Sequence, residues 1–199
     1  MMRSLSMLVL ALMLGACDAV HTREPVGGPL PADSEVDLTG LWRVEEGDVV
    51  HIMQLEGGEL RLAGVEWDEE QAGFVMHEFD GVLTHDEGAY YLNLGLGGEA
   101  REEARYSFFR LLVSDGHMVM LGPRVGHFEA AVEAGELAGW VERREHSRLV
   151  HVEADRDALT RFVRPGRVGE QFEVDHPMVL ERLTAARERE AGRQGRDSR

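Results

Sequence analysis

Between Leu38 and Leu121, short runs of strand-forming residues alternate with turn chemistry, and this punctuation constrains the fold more than any other feature of the chain. Turns fall at Glu46-Gly47-Asp48, Glu56-Gly57-Gly58-Glu59, Asp86-Glu87-Gly88 and Asp115-Gly116. Gly next to an acidic residue supplies the positive φ that tight hairpins need. The runs between them are Leu41 to Glu45, Val49 to Leu55, Leu60 to Trp67, Phe74 to His85, Tyr90 to Leu94, Tyr106 to Val113 and Met118 to Leu121. Asp80-Gly81 interrupts the longest run and reads as a bulge or bend.

Several runs are apolar on both faces. Val49, His51, Met53 and Leu55 alternate with Val50 and Ile52, and Phe109, Leu111 and Val113 alternate with Phe108 and Leu112. A sheet wet on one side does not need that, so both faces are expected to be covered. Later the spacing turns helical. Phe128, Ala131 and Val132 lead to a stop at Gly135, and Leu159, Phe162 and Val163 follow an Asp155 cap and end before Pro165-Gly166. Leu137 to Glu142 and Leu149 to Glu153 read as two more strands joined by a charged hairpin, and a last helix is expected from Pro177, presenting Val179, Leu180 and Leu183. The fold class is therefore mainly β, an antiparallel barrel or a related barrel or sandwich, with two or three short helices in the C-terminal half.

The amino terminus reads as an address. Residues 1–16 join one positive charge at Arg3, an apolar stretch from Met7 to Leu14, and small Gly15 and Ala16, the three-part layout of a secretory signal. The stretch is far shorter than the roughly 20 residues of a spanning helix. Leu14-Gly15-Ala16-Cys17 follows, and Cys17 is the one cysteine in the chain. This string resembles the lipobox of bacterial lipoproteins. The resemblance implies diacylation of the Cys17 thiol, cleavage before it, and acylation of the new amino group by a chain such as palmitate. One acyl chain holds a bilayer reversibly, whereas three hold it firmly. The implied location is the periplasmic face of a cell-envelope membrane; Asp18 after the cysteine leaves inner and outer membrane both open.

Composition sharpens the division of the chain. Pro25, Pro29, Pro31 and the Gly27-Gly28 pair mark residues 17–37 as a flexible tether. Residues 38–186 form the β-rich domain, and 187–199, with five Arg and no apolar residue larger than Ala, a disordered tail. All 21 basic residues are Arg, against 37 acidic ones, for a formal net charge of −16. Such a surface repels phosphate and argues against nucleic-acid binding. A lone cysteine excludes an internal disulfide.

Thr39-Gly40-Leu41-Trp42-Arg43, opening the first strand after that lead, resembles the Gly-x-Trp signature of lipocalin-like barrels, in which the Trp plugs one end and the interior holds a small ligand. The helix at Phe128 departs from that pattern. The stretch from Gly40 to about Val163 is also similar to a group of bacterial proteins with no assigned activity. The lipocalin-like resemblance implies a small ligand, expected to be apolar, and the aromatic residues Trp42, Tyr90 and Tyr106 are candidate pocket residues.

Catalysis finds no motif. No Ser lies in a Gly-x-Ser-x-Gly elbow, and Gly95, Gly97 and Gly98 lead into an acidic stretch without the Lys of a phosphate loop. His51-x-Met53, Met76-His77 and His117-Met118-x-Met120 offer imidazole and thioether ligands suited to copper. Met76 and His77 point to opposite faces, however, and Met is a common core filler, so no metal is expected. The carboxylate pairs Glu45-Glu46, Glu69-Glu70 and Glu102-Glu103 read as solvated side chains. No cofactor is implied, and the expectation is a non-enzymatic protein that either binds a small apolar ligand or, with a filled barrel, serves envelope assembly.

Overall fold

A computed structural model describes residues 18–44, 48–68, 72–96, 105–114 and 116–183. Signal, Cys17, carboxylate pairs and tail therefore lie outside the described residues. The described chain carries twelve strands: β1 (Ala19–Thr22), β2 (Gly28–Pro29), β3 (Gly40–Val44), β4 (Val49–Gln54), β5 (Glu59–Asp68), β6 (Gly73–Asp86), β7 (Ala89–Leu96), β8 (Arg105–Ser114), β9 (His117–Leu121), β10 (Gly139–Arg143), β11 (Arg148–Val152) and β12 (Met178–Arg182). Three short helices, α1 (Val125–Glu133), α2 (Arg156–Phe162) and α3 (Val168–Gln171), fall between β9 and β12.

Strands β3 to β9 pair in sequence as an antiparallel meander, and β12 closes it by pairing with both β9 and β3. The result is the expected antiparallel barrel, of eight strands, with three short helices in the C-terminal half. Its interior is packed with apolar side chains: Trp42, Ile52, Leu60, Leu83, Leu92 and Met118 are each almost wholly buried. Gly81 continues β6 rather than breaking it, pairing with Leu60 and Leu94 on its two sides. A Cβ there would stand 2.9 Å from the Asn93 carbonyl oxygen, so glycine lets the strands curl this closely.

A second core lies outside the wall. Tyr91 and Phe108 project outward from β7 and β8 and pack with Phe128, Leu159 and Phe172 from the helical excursion. This is why β8 is apolar on both faces at Phe108 and Phe109. The same reasoning does not hold at β4, where Val50 and Ile52 are buried but Val49 and Met53 are exposed. There the outer face has no covering layer.

Helix signals carried through: the Asp155 side chain accepts from the Ala158 N–H at 2.8 Å, and Gly135 takes a φ of 73° after α1. Two other expectations are corrected. Residues 178–182 are a strand and not a helix, because Met178 and Leu180 alternate into the barrel and the segment supplies ladder partners to two otherwise open edges. Satisfying those edges outweighs local helical spacing.

The second correction concerns the tether. From residue 18 onward the lead belongs to the fold. β1 runs parallel to β11, Ala19 opposite Leu149 to Thr22 opposite Val152, and its four residues are all buried. Farther on, the Val26 N–H donates to Asn93 Oδ1 at 2.8 Å, Asn93 Nδ2 donates to Thr84 Oγ1 at 2.9 Å, and the Thr84 hydroxyl donates to the Val26 carbonyl. Pro25 and the glycines break helix and strand locally, but side chains from β6 and β7 satisfy the freed backbone groups.

Candidate functional site

Strand β8 is shared. Near its start it pairs with β1, Thr22 opposite Tyr106, and from Arg110 to Ser114 it pairs with β9. Two neighbours on the same side of one strand must diverge where they meet, and a cleft of about 370 Å³ opens in that fork. Ala19 and Val20 of β1, Phe108 and Phe109 of β8, Met120 of β9 and Met178 of β12 are among its lining residues. Val125 and Gly126, at the start of α1, also line it, with Gly122, Pro123, buried Ser107 and half-buried Glu173. The volume lies within the range of about 300–1,000 Å³ of small-ligand sites, and apolar walls with a few polar groups are their usual chemistry.

The polar groups stand at the rim. The Arg148 N–H donates to Asp18 Oδ1 at 2.8 Å and its Nε to Oδ2 at 2.9 Å, while its Nη1 reaches Glu129 at 2.9 Å. Those side-chain bonds hold the Asp18 carboxyl below the usual carboxylate range. Residue 18, where the described chain begins, is thus fixed at the mouth of the cleft.

The three candidate pocket residues do not gather there. Trp42 is buried at one end of the barrel core, where its Nε1–H donates to the Leu38 carbonyl at 2.7 Å and the Arg182 guanidinium lies 4.7 Å from the ring centroid. Tyr90 shares the inward face of β7 with Leu92 and Leu94. Tyr106 shares the outward face of β8 with Phe108, so it stands on the other side of the wall from Tyr90. The sulfur and imidazole residues also stay apart: Met118 and Met120 are buried in the barrel, while His51, Met53 and Met76 are exposed. The cleft was missed because its making depends on β1, a four-residue strand among breakers; Ala19-Val20 was the only signal for it.

A second polar cluster lies on the outer face of the β1–β11–β10 extension. His21 and His151 pair across the parallel strands with ring centroids 5.6 Å apart, Trp140 stacks on His151 at 4.7 Å, and Arg105 lies 5.0 Å from the Trp140 ring. Burial lowers the His21 pKa to about 4, with the charges of His151 and Arg105 acting in the same direction. His151 is lowered too, by burial first and then Arg105, against the raising effect of Glu142 and Glu153. The unfolded chain therefore binds more protons than the folded one below about pH 6.5, and stability falls as pH drops from there toward 4. His21 alone is expected to cost about 2 kcal/mol between pH 7.5 and 5. Urea midpoints at the two pH values measure it, and His21→Leu is expected to flatten the difference.

The fold and cleft define a class, a packed antiparallel β-barrel with a ligand-sized cleft in its outer wall. Comparison of the chain with known protein families, with characterised proteins and with solved structures gives no match.

Proposed function

We infer that this is a lipid-anchored cell-envelope protein, held at the periplasmic face of a membrane through Cys17, that binds a small apolar ligand and catalyses no reaction. The anchoring half is supported by Leu14-Gly15-Ala16-Cys17 behind its apolar stretch. The binding half is carried by the cleft between β1 and β9, with buried apolar walls and a charged rim. The site of binding is then the wall of the barrel, since its interior is occupied by the protein's own side chains.

Two measurements test the two halves. Cys17→Ala is expected to abolish the mature, membrane-bound form and leave the signal uncut; a variant of unchanged mature mass in the same membrane fraction contradicts the anchoring. For the ligand, the mature protein is extracted in mild detergent and weighed under native and denaturing conditions. An apolar mass lost on denaturation is expected, and a bare native mass counts against the ligand.

A second reading, an assembly or interaction protein, is favoured by two observations, the filled barrel interior and an exposed apolar arm. Strand β4 pairs with β5 only as far as Gly64, so Val65–Asp68 and Gly73–Met76 form a two-stranded arm beyond the barrel wall. Phe74 and Met76 on that arm are 74% and 62% exposed, and Val65, opposite Met76, is 51% exposed. Apolar surface of this kind marks contact sites.

A further inference from the structure

We propose that the cleft between β1 and β9 is the docking site for one acyl chain of the lipid on the protein's own Cys17. The proposal rests on the lipoprotein reading above and puts a covalent occupant in the cleft in place of a dissociable one, so a bare native mass counts against the dissociable ligand and not against this proposal. Its occupant follows from the position of Asp18, the residue after Cys17, in the cleft lining. Asp18 is bonded through its carboxylate to Arg148 at the rim, and Ala19 and Val20 line the wall directly behind it. Cys17 is one peptide bond upstream, so acyl chains attached to its sulfur and nitrogen leave the protein beside an apolar opening. No tether intervenes, because β1 is buried between β11 and β8 from Ala19 onward.

Chemistry fits the same occupant. An acyl chain needs apolar contact along its length and makes no hydrogen bonds; Pro123, Val125 and Met178 in the lining are apolar and partly exposed, while Asp18, Arg148 and His176 are exposed and polar. Withdrawing one chain of three leaves two in the bilayer, the number that holds a protein stably. With β1 fixed in the sheet, the docked chain would seat the cleft face of the barrel against the membrane.

The test uses full-length protein made in bacteria fed a photoreactive fatty acid, which the lipidation machinery attaches to Cys17. Isolated membranes are irradiated and the cross-linked peptides identified by mass. The expected product joins the lipid of the Cys17 peptide to peptides carrying Pro123, Val125 or Met178. Gly126→Trp serves as the blocking variant. Gly126 lines the cleft with no heavy atom within 4 Å of an added Cβ, so the bulk enters open space and leaves the core intact. It is expected to reduce that product at least several-fold with an unchanged thermal melt.

Three results would overturn the proposal. A lipidated Cys17 peptide cross-linked only to membrane lipids means that the chains stay in the bilayer. A phospholipid adduct on the cleft peptides means that the cleft takes bilayer lipid instead. An amino-terminal peptide without lipid overturns the anchoring on which the proposal stands, and is read separately from the cross-links.

Discussion

Trp42→Ala is expected to lower the free energy of unfolding by about 3–5 kcal/mol, the range for removing a large buried aromatic. The side chain is wholly buried among the barrel residues, and two further interactions go with it. Its indole N–H satisfies the Leu38 carbonyl at 2.7 Å, and its ring carries the Arg182 guanidinium, which in turn donates to the Asp37 carbonyl. The substitution therefore opens a cavity, leaves a buried carbonyl unpaired and loosens the clasp between β12 and the lead into β3. Since domains of this size have about 5–15 kcal/mol in total, the variant stands near the edge of stability. Urea unfolding followed by far-ultraviolet circular dichroism measures it. A loss below 1 kcal/mol would mean that the barrel end is not packed as described. Trp42→Phe keeps most of the volume and is expected to lose much less.

Removing residues 18–30 from a soluble form of the domain is expected to cost about 3–6 kcal/mol, counting only Val20 and Val26 at about 1.5–3 kcal/mol each for full burial. Both valines are essentially inaccessible in the outer core, and their loss uncovers Tyr91, Phe108 and Val150. It also strips Asn93 and Thr84 of the Val26 backbone, and Thr160 of the Gly27 N–H at 3.0 Å. The comparison is between chains starting at residues 18 and 31. Equal unfolding midpoints would restore the flexible tether suggested by composition, and with it the freedom of the barrel to move away from its anchor. A large difference places residues 18–30 within the folded domain.

Legibility in the sequence followed the range of the forces involved. Hairpins between Gly40 and Leu121 were readable because each is decided locally, by a glycine or acidic turn between apolar alternations. The caps of α1 and α2 were readable for the same reason. Strand β12 was not, since Met178, Val179, Leu180 and Leu183 satisfy helical spacing as well as strand alternation, and only the two waiting edges decide between them. Strand β1 was hidden by the breakers that follow it; its partner β11 lies about 130 residues away and pairs in parallel. The cleft was out of reach for that reason, being made by β1 and β9 diverging from β8. Of the candidate pocket residues, Trp42 packs in the barrel core and does not line the cleft. Tyr90 and Tyr106 were grouped by residue type, although their parity on paired strands sends them to opposite faces.

The proposed anchor and the cleft are adjacent in the chain, since Cys17 precedes Asp18 of the cleft lining. The most direct test is the intact mass of the protein extracted from membranes, with sequencing of its first peptide. The account predicts a chain beginning at Cys17, with a diacylglyceryl group on sulfur and an acyl group on nitrogen. A chain that begins elsewhere, or one that begins at residue 17 with a free thiol, would contradict it.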